Sequence, residues 1–113
     1  MEEIRQRIKS DDIDKTVNIE KQNRHIKGTR EYVEGRSYLL DGVDAQELVN
    51  TYHGTGRPEP TRTGTWSNRE TVIADKNIGV RINPTTLEET ITNRFVIHYS
   101  KTGTHVVPTK RES

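Results

Sequence analysis

A chain of 113 residues has the size of one ordinary domain. With 28% hydrophobic against 31% charged residues it can build only a small core, and a net charge of +1 singles out no polyanionic partner. The absence of cysteine excludes disulfides, a thiolate nucleophile and thiolate metal ligands. No apolar run approaches the length of a membrane span and the first residues lack the apolar stretch of a signal peptide, so the expectation is a soluble domain.

In chain order, Glu2 to Ser10 reads as a short helix with Ile4 and Ile8 on one face and acidic residues in its first turn. Two apolar residues bury little, so residues 1–20 are expected to be a frayed lead-in or linker from a longer parent, ahead of a single domain over 21–113. Thr16 to Leu40 is irregular: Val17 and Ile19 alternate as in a strand, Lys21 to Ile26 fits a helical turn or two, and Gly35 to Leu40 reads as a turn into a short strand. This segment carries a local basic patch, since Lys21, Arg24, Lys27, Arg30 and Arg36 face only two acidic residues between positions 21 and 36.

Asp44 to His53 is the clearest helix. Ala45, Leu48, Val49 and Tyr52 form an apolar stripe, Asp44 with Glu47 fits a capping box, and Gly54 is a natural stop. Thr55 to Asn68, with its prolines and glycines, reads as a long mobile surface loop. Strands are then expected over Glu70 to Asp75, Ile78 to Ile82 and Glu88 to Thr92, ending in a hairpin from Arg94 to Pro108. The predicted class is α+β, with the helix packed on one face of an antiparallel meander of three to five strands.

Along the long strand that runs on from Glu88 to Thr92 into the hairpin, Ile91, Phe95, Ile97 and Tyr99 share one face, which is expected to be the core face. Thr92, Arg94, Val96, His98 and Ser100 share the other, too polar to be buried without partners. The face of His105 depends on the turn. A three-residue loop Lys101-Thr102-Gly103 pairs Ser100 with Thr104 and Tyr99 with His105, whereas a two-residue loop Thr102-Gly103 pairs Ser100 with His105; glycine in third place favours the first.

The series Lys21-Gln22-Asn23-Arg24-His25-Ile26-Lys27-Gly28-Thr29, Gly35-Arg36-Ser37-Tyr38-Leu39, Tyr52-His53-Gly54-Thr55-Gly56, Arg69-Glu70 and Ile97 to Pro108 resembles the bacterial polymorphic toxin type 50 domain. Related domains end phage minor head proteins. The resemblance implies a Barnase, EndoU, colicin and RelE-like fold, with N-terminal helices packed on a four-stranded antiparallel sheet, and a metal-independent ribonuclease without cofactor. It would be a C-terminal part of a secreted or phage-borne protein acting in the target-cell cytoplasm. It further implies RNA and a cognate immunity protein as partners, with no membrane partner and a monomeric state. A different outcome would be a non-catalytic nucleic-acid- or protein-binding module of a phage head.

Such a ribonuclease needs a base for the 2′-hydroxyl proton, an acid for the leaving oxygen, and cations or amides around the phosphate; histidine suits both proton roles. With the resemblance, the candidate catalytic residues are His25, His105, Thr104, Ser100, Tyr99 and Glu70, and the candidate phosphate ligands are Lys21, Lys27, Arg36, His98 and Lys101. Each also has an ordinary structural reading. His25 could be solvated, His105 could cap the hairpin, Ser100 and Thr104 could form a cross-strand pair, Tyr99 could be core, and Glu70 a strand-edge charge. A metal site is disfavoured because the histidines lack the spacing of helical zinc ligands and no acidic cluster of the magnesium type is present.

Overall fold

A computed structural model describes residues 2–110; Met1 and residues 111–113, the expected outer limits of the lead-in and of the domain, lie outside the described residues. The elements are α1 (Glu2–Lys9), α2 (Ile19–Asn23), β1 (Tyr38–Leu39), α3 (Ala45–Tyr52), β2 (Arg57–Pro60), β3 (Trp66–Ile73), β4 (Gly79–Ile82), β5 (Glu89–Thr92), β6 (Arg94–His98) and β7 (His105–Pro108). The class is α+β, as the periodicities predict. The strands, however, divide between two antiparallel sheets, one ordered β1-β4-β5 and the other β2-β3-β6-β7.

The division falls at Asn93, where a continuous strand was expected. Its backbone carbonyl accepts from Ala74 N (2.8 Å), its side-chain amide donates to Ala74 O (3.0 Å), and the Thr92 hydroxyl donates to Thr109 O. The turn passes the chain from one sheet to the other. It also inverts the expected faces at this point: Thr92 is fully buried and Ile91 is 53% exposed, so Ile91 is not part of the core.

The segment expected to be a mobile loop instead supplies β2, an Arg-Pro-Glu-Pro strand paired to β3. Two prolines are tolerated because β2 is the sheet's edge, where alternate nitrogens need no ladder partner. The first helix is also more firmly seated than two apolar residues suggest. Ile8 is wholly buried in the common core, worth about 1.5–3 kcal/mol. The Lys15 ammonium caps the end of α1 by donating to Ile8 O, Ser10 O and Ile13 O.

α3 forms as its pattern dictates. The Asp44 carboxylate accepts from Gln46 N, and Ala45, Leu48 and Val49 are buried in one cluster with Phe95, Ile97 and Val106. The helices thus cover one face of the four-stranded sheet, that of Glu70, Val72, Phe95, Ile97, Tyr99, Thr104 and Val106. The register leaves Arg57, Glu59, Arg69, Thr71, Ile73, Arg94, Val96, His98, His105 and Val107 on the other.

The hairpin register corrects both expected forms. His98 pairs directly with His105, so residues 99–104 make a six-residue connection. The reason lies outside the hairpin. The Thr16 to Asn18 strand runs alongside the connection, with Thr104 N donating to Thr16 O (2.9 Å) and Asn18 N to Thr104 O (2.8 Å), while Tyr99 N donates to Asn68 O. Thr104 therefore cannot pair with Tyr99 or Ser100. Gly103, at φ +109°, passes so close that a Cβ there would lie 2.8 Å from the Asn18 Cβ.

Candidate active site

The new register puts His98 and His105 side by side on the face away from the helices, rather than His105 with Tyr99. Their rings are stacked, with centroids 4.7 Å apart and planes 10° from parallel. His25 stacks on the other side of His105 at 5.9 Å and 11°. Three histidines from two strands and a distant segment form one column, with His105 in the middle.

His25 is carried there by a latch. Gln22, in the middle of α2, uses its side-chain amide as a strand would: Nε2 donates to Val106 O (2.9 Å) and Val106 N donates to Oε1 (2.6 Å), closing the free edge of β7. Asn18 caps α2 through Lys21 N and donates Nδ2 to Thr102 O, fixing the helix start to the hairpin connection. The next turn ends at His25, whose carbonyl accepts from Leu39 N.

His25 is only 5% exposed, and its Nδ1 lies 2.9 Å from Ser37 O. A carbonyl can only accept, so Nδ1 carries the proton and the neutral ring keeps a lone pair at Nε2. By contrast, His105 Nδ1 is buried without a hydrogen-bond partner among the described residues.

Burial is the largest cause that pushes His105 down to about 4, followed by His98, His25, Lys21 and Arg24. His98 is pushed down to about 4 by burial first and then by Arg69 and His25. His25 is also lowered, chiefly by burial; the Ser37 carbonyl opposes this, and Arg36 and Arg24 add to it. The neighbouring cations thus lower His25 too, but less than desolvation does. At neutral pH the column consists of uncharged imidazoles able to take up a proton.

Around it, the Lys21 ammonium donates to the hydroxyls of Thr102 (2.7 Å) and Ser100 (3.4 Å), which lie 3.1 Å from each other. Lys21, Ser100, His98, His105 and His25 are thus brought together. Lys27 is turned away, its ammonium 4.3 Å over the Tyr38 ring. Arg36 is exposed near His25, and Lys101 is exposed on the connection, lining a cavity of about 620 Å³ with Ser100 and Asp11 to Lys15. That cavity holds none of the histidines.

Glu70, Tyr99 and Thr104 lie on the opposite, core face. Glu70 is fully buried, its carboxylate accepting from Gly54 N (3.1 Å), Gly56 N (2.7 Å) and the Tyr99 hydroxyl (2.7 Å). The Tyr99 hydroxyl is pushed far up by burial and by this carboxylate. Thr104 is fully buried and donates its hydroxyl to Asp14 O. All three have their polar atoms spent on holding the fold.

Arg69 is a residue the sequence reading passed over. It pairs with His98 across β3 and β6 and is exposed on the same face. Its place two positions along β3 from Thr71 could have marked it once the strand was extended to Trp66. Gln22 and Asn18, by contrast, carried no signal.

The family model for bacterial toxin 50 matches residues 17–108 of this chain. No curated protein matches it. Among the described residues no helix is long and apolar enough to cross a membrane.

Proposed function

Since the chain belongs to the bacterial toxin 50 family, we propose that it is a toxin that cleaves RNA without a metal ion, with the histidine column as its active site. The observation that carries the reading is the column itself: three imidazoles held neutral and stacked, one with an unpartnered buried nitrogen, ringed by Lys21, Arg24, Arg36 and Arg69. Buried polar atoms ordinarily find partners, and exceptions concentrate where chemistry is done.

His25 and His105 form the proton-transfer pair. One takes the proton of the 2′-hydroxyl, whose oxygen attacks the adjacent phosphorus. The P–O5′ bond breaks, and the other gives its proton to O5′, leaving a 2′,3′-cyclic phosphate and a 5′-hydroxyl. Approach of the phosphate anion raises the pKa of the imidazole nearest it, which lets a ring that is neutral in the free protein hold the proton it delivers. Lys21 and His98 face the phosphate oxygens and Arg36 borders the site, while Lys101 lies on the connection, at the separate cavity lined by Asp11 to Lys15. Lys27 would have to leave the Tyr38 ring to join them. Glu70, Tyr99 and Thr104 take no part in the proton transfers.

The partner that disarms such a site is an immunity protein with an acidic surface, matched to the cations around the column. A toxin of this kind is an effector delivered into a target cell, where RNA is within reach.

The test is incubation of purified protein with total RNA in excess chelator, followed by mapping of the ends. Fragments with cyclic phosphate and 5′-hydroxyl ends are expected. RNA that is bound but never cut under these conditions would instead identify a non-catalytic binding module.

A further inference from the structure

The open face of the four-stranded sheet carries more than the column. In the row of His98 and His105 stand Arg69 on β3 and Glu59 on β2. The next row along the strands is Arg57, Thr71, Val96 and Val107, and the one after pairs Ile73 with Arg94. Each step is about 6.6 Å, close to the distance between successive phosphates of an extended nucleic-acid strand. Arg5, Arg57 and Arg94 line one cavity of about 400 Å³ on this side, together with Glu59, Thr71 and Ile73. Glu59 is the single carboxylate these strands place on the face. Ile73 is 59% exposed, and Val96 and Val107 are half-buried, so apolar surface lies between the arginines.

We propose that this face is the binding track for single-stranded RNA, with the phosphate to be cut at the histidine column, in the row that Arg69 shares with His98 and His105, and the neighbouring one a row further along the strands, in the Arg57 cavity. The inference rests on the ribonuclease reading for its chemistry and adds the substrate class. Guanidinium groups suit phosphate through paired N–H donors, and the aliphatic side chains between them suit the faces of bases. A single strand fits better than a duplex for two reasons. The cations are spaced along a sheet instead of around a cylinder. Attack by the 2′-oxygen also needs it in line with the P–O5′ bond, an arrangement a flexible strand reaches and a regular A-form helix withholds.

The test uses uncleavable 2′-O-methyl RNA of two and six nucleotides, with a fluorescent end label, and a six-base-pair duplex of the same chemistry. Wild-type protein is expected to bind the single-stranded hexamer more tightly than the dimer and the duplex. Arg57→Ala should weaken hexamer binding by about tenfold. The slope of log affinity against log salt should fall by about 0.7. Arg57→Lys should recover the slope, and Arg57→Gln repeats the measurement if the alanine variant unfolds. Unchanged hexamer affinity and salt slope in a folded Arg57 variant, or a duplex that binds as tightly as the strand, would overturn the proposal. Length-dependent binding with no cleavage of natural RNA would leave the track standing and remove the ribonuclease reading. Cleavage without length-dependent binding would do the reverse.

Discussion

The two faces of the four-stranded sheet present two polar clusters built from adjacent residues, and the clusters are opposite in kind. On the core face, Glu70 and Tyr99 join a closed arrangement in which the carboxylate receives Gly54 N, Gly56 N and the tyrosine hydroxyl. One position away from each, Arg69 and His98 belong to the open face, where the central imidazole of the column has a buried nitrogen with no partner among the described residues. A satisfied buried network makes a fold specific; an unsatisfied one at the surface is poised for a ligand. On the ribonuclease reading the difference separates residues that hold the site from residues that act in it, and substitution should divide the same way.

The largest effect is expected at His105. His105→Ala removes the middle ring, and if the column transfers protons the cleavage rate should fall by about 10²- to 10⁴-fold. Because Nδ1 has no partner to lose, thermal stability should change little. Loss of the fold together with activity, in place of a selective loss, would reassign His105 to the structural cluster.

Glu70→Ala should show the converse. It strands Gly54 N, Gly56 N and the Tyr99 hydroxyl and is expected to cost about 3–5 kcal/mol in denaturant unfolding. Whatever protein remains folded should still cut RNA. A well-folded but inactive Glu70→Gln variant would break the division between the faces.

This division was only partly legible in the sequence. α3 could be read directly because its determinants, the Asp44 cap and the stripe Ala45, Leu48, Val49, lie within one another's reach. The alternation of Phe95, Ile97 and Tyr99 likewise marks the buried face of β6. The hairpin register could not be read, since it is decided by Thr16 to Asn18, far away in the chain, and not by the turn residues. With the register went the face of His105 and hence the stack. His25 and Glu70 both looked like candidates for chemistry, because a sequence shows a titratable group but not whether glycine amides will occupy it. β2 was hidden by its prolines, which usually signal a loop and are accommodated here only by its place at the edge.

A smaller effect is expected from Gln22, which bridges the comparison: it is 2% exposed, belongs to neither cluster, and holds the His25 segment against β7. Gln22→Ala leaves Val106 N and O without partners and should cost about 2–3 kcal/mol. It should also lower activity, by loosening His25 from His105. The ratio of the two effects can be read by measuring cleavage well below the unfolding midpoint. Intact activity at reduced stability would show that the stack holds without its latch.

The mildest test is pH. In the folded protein His98 and His105 are pushed down to about 4 and His25 is lowered as well, against about 6.5 in the unfolded chain. Between about pH 6.5 and pH 4 the unfolded chain binds protons that the folded chain refuses. The unfolding free energy therefore rises with pH across that window and is lost on acidification, because more protons are bound in the unfolded state. The stacked rings oppose one another's charge, so the observed steps belong to the column and not to a single residue. Melting temperature followed from pH 7 to pH 4.5 should fall in the wild type, and the fall should be shallower in the His98→Ala, His105→Ala double variant. Equal slopes in the two proteins would mean that the column is not held uncharged, and with that the open face would lose the property that most distinguishes it from the core face.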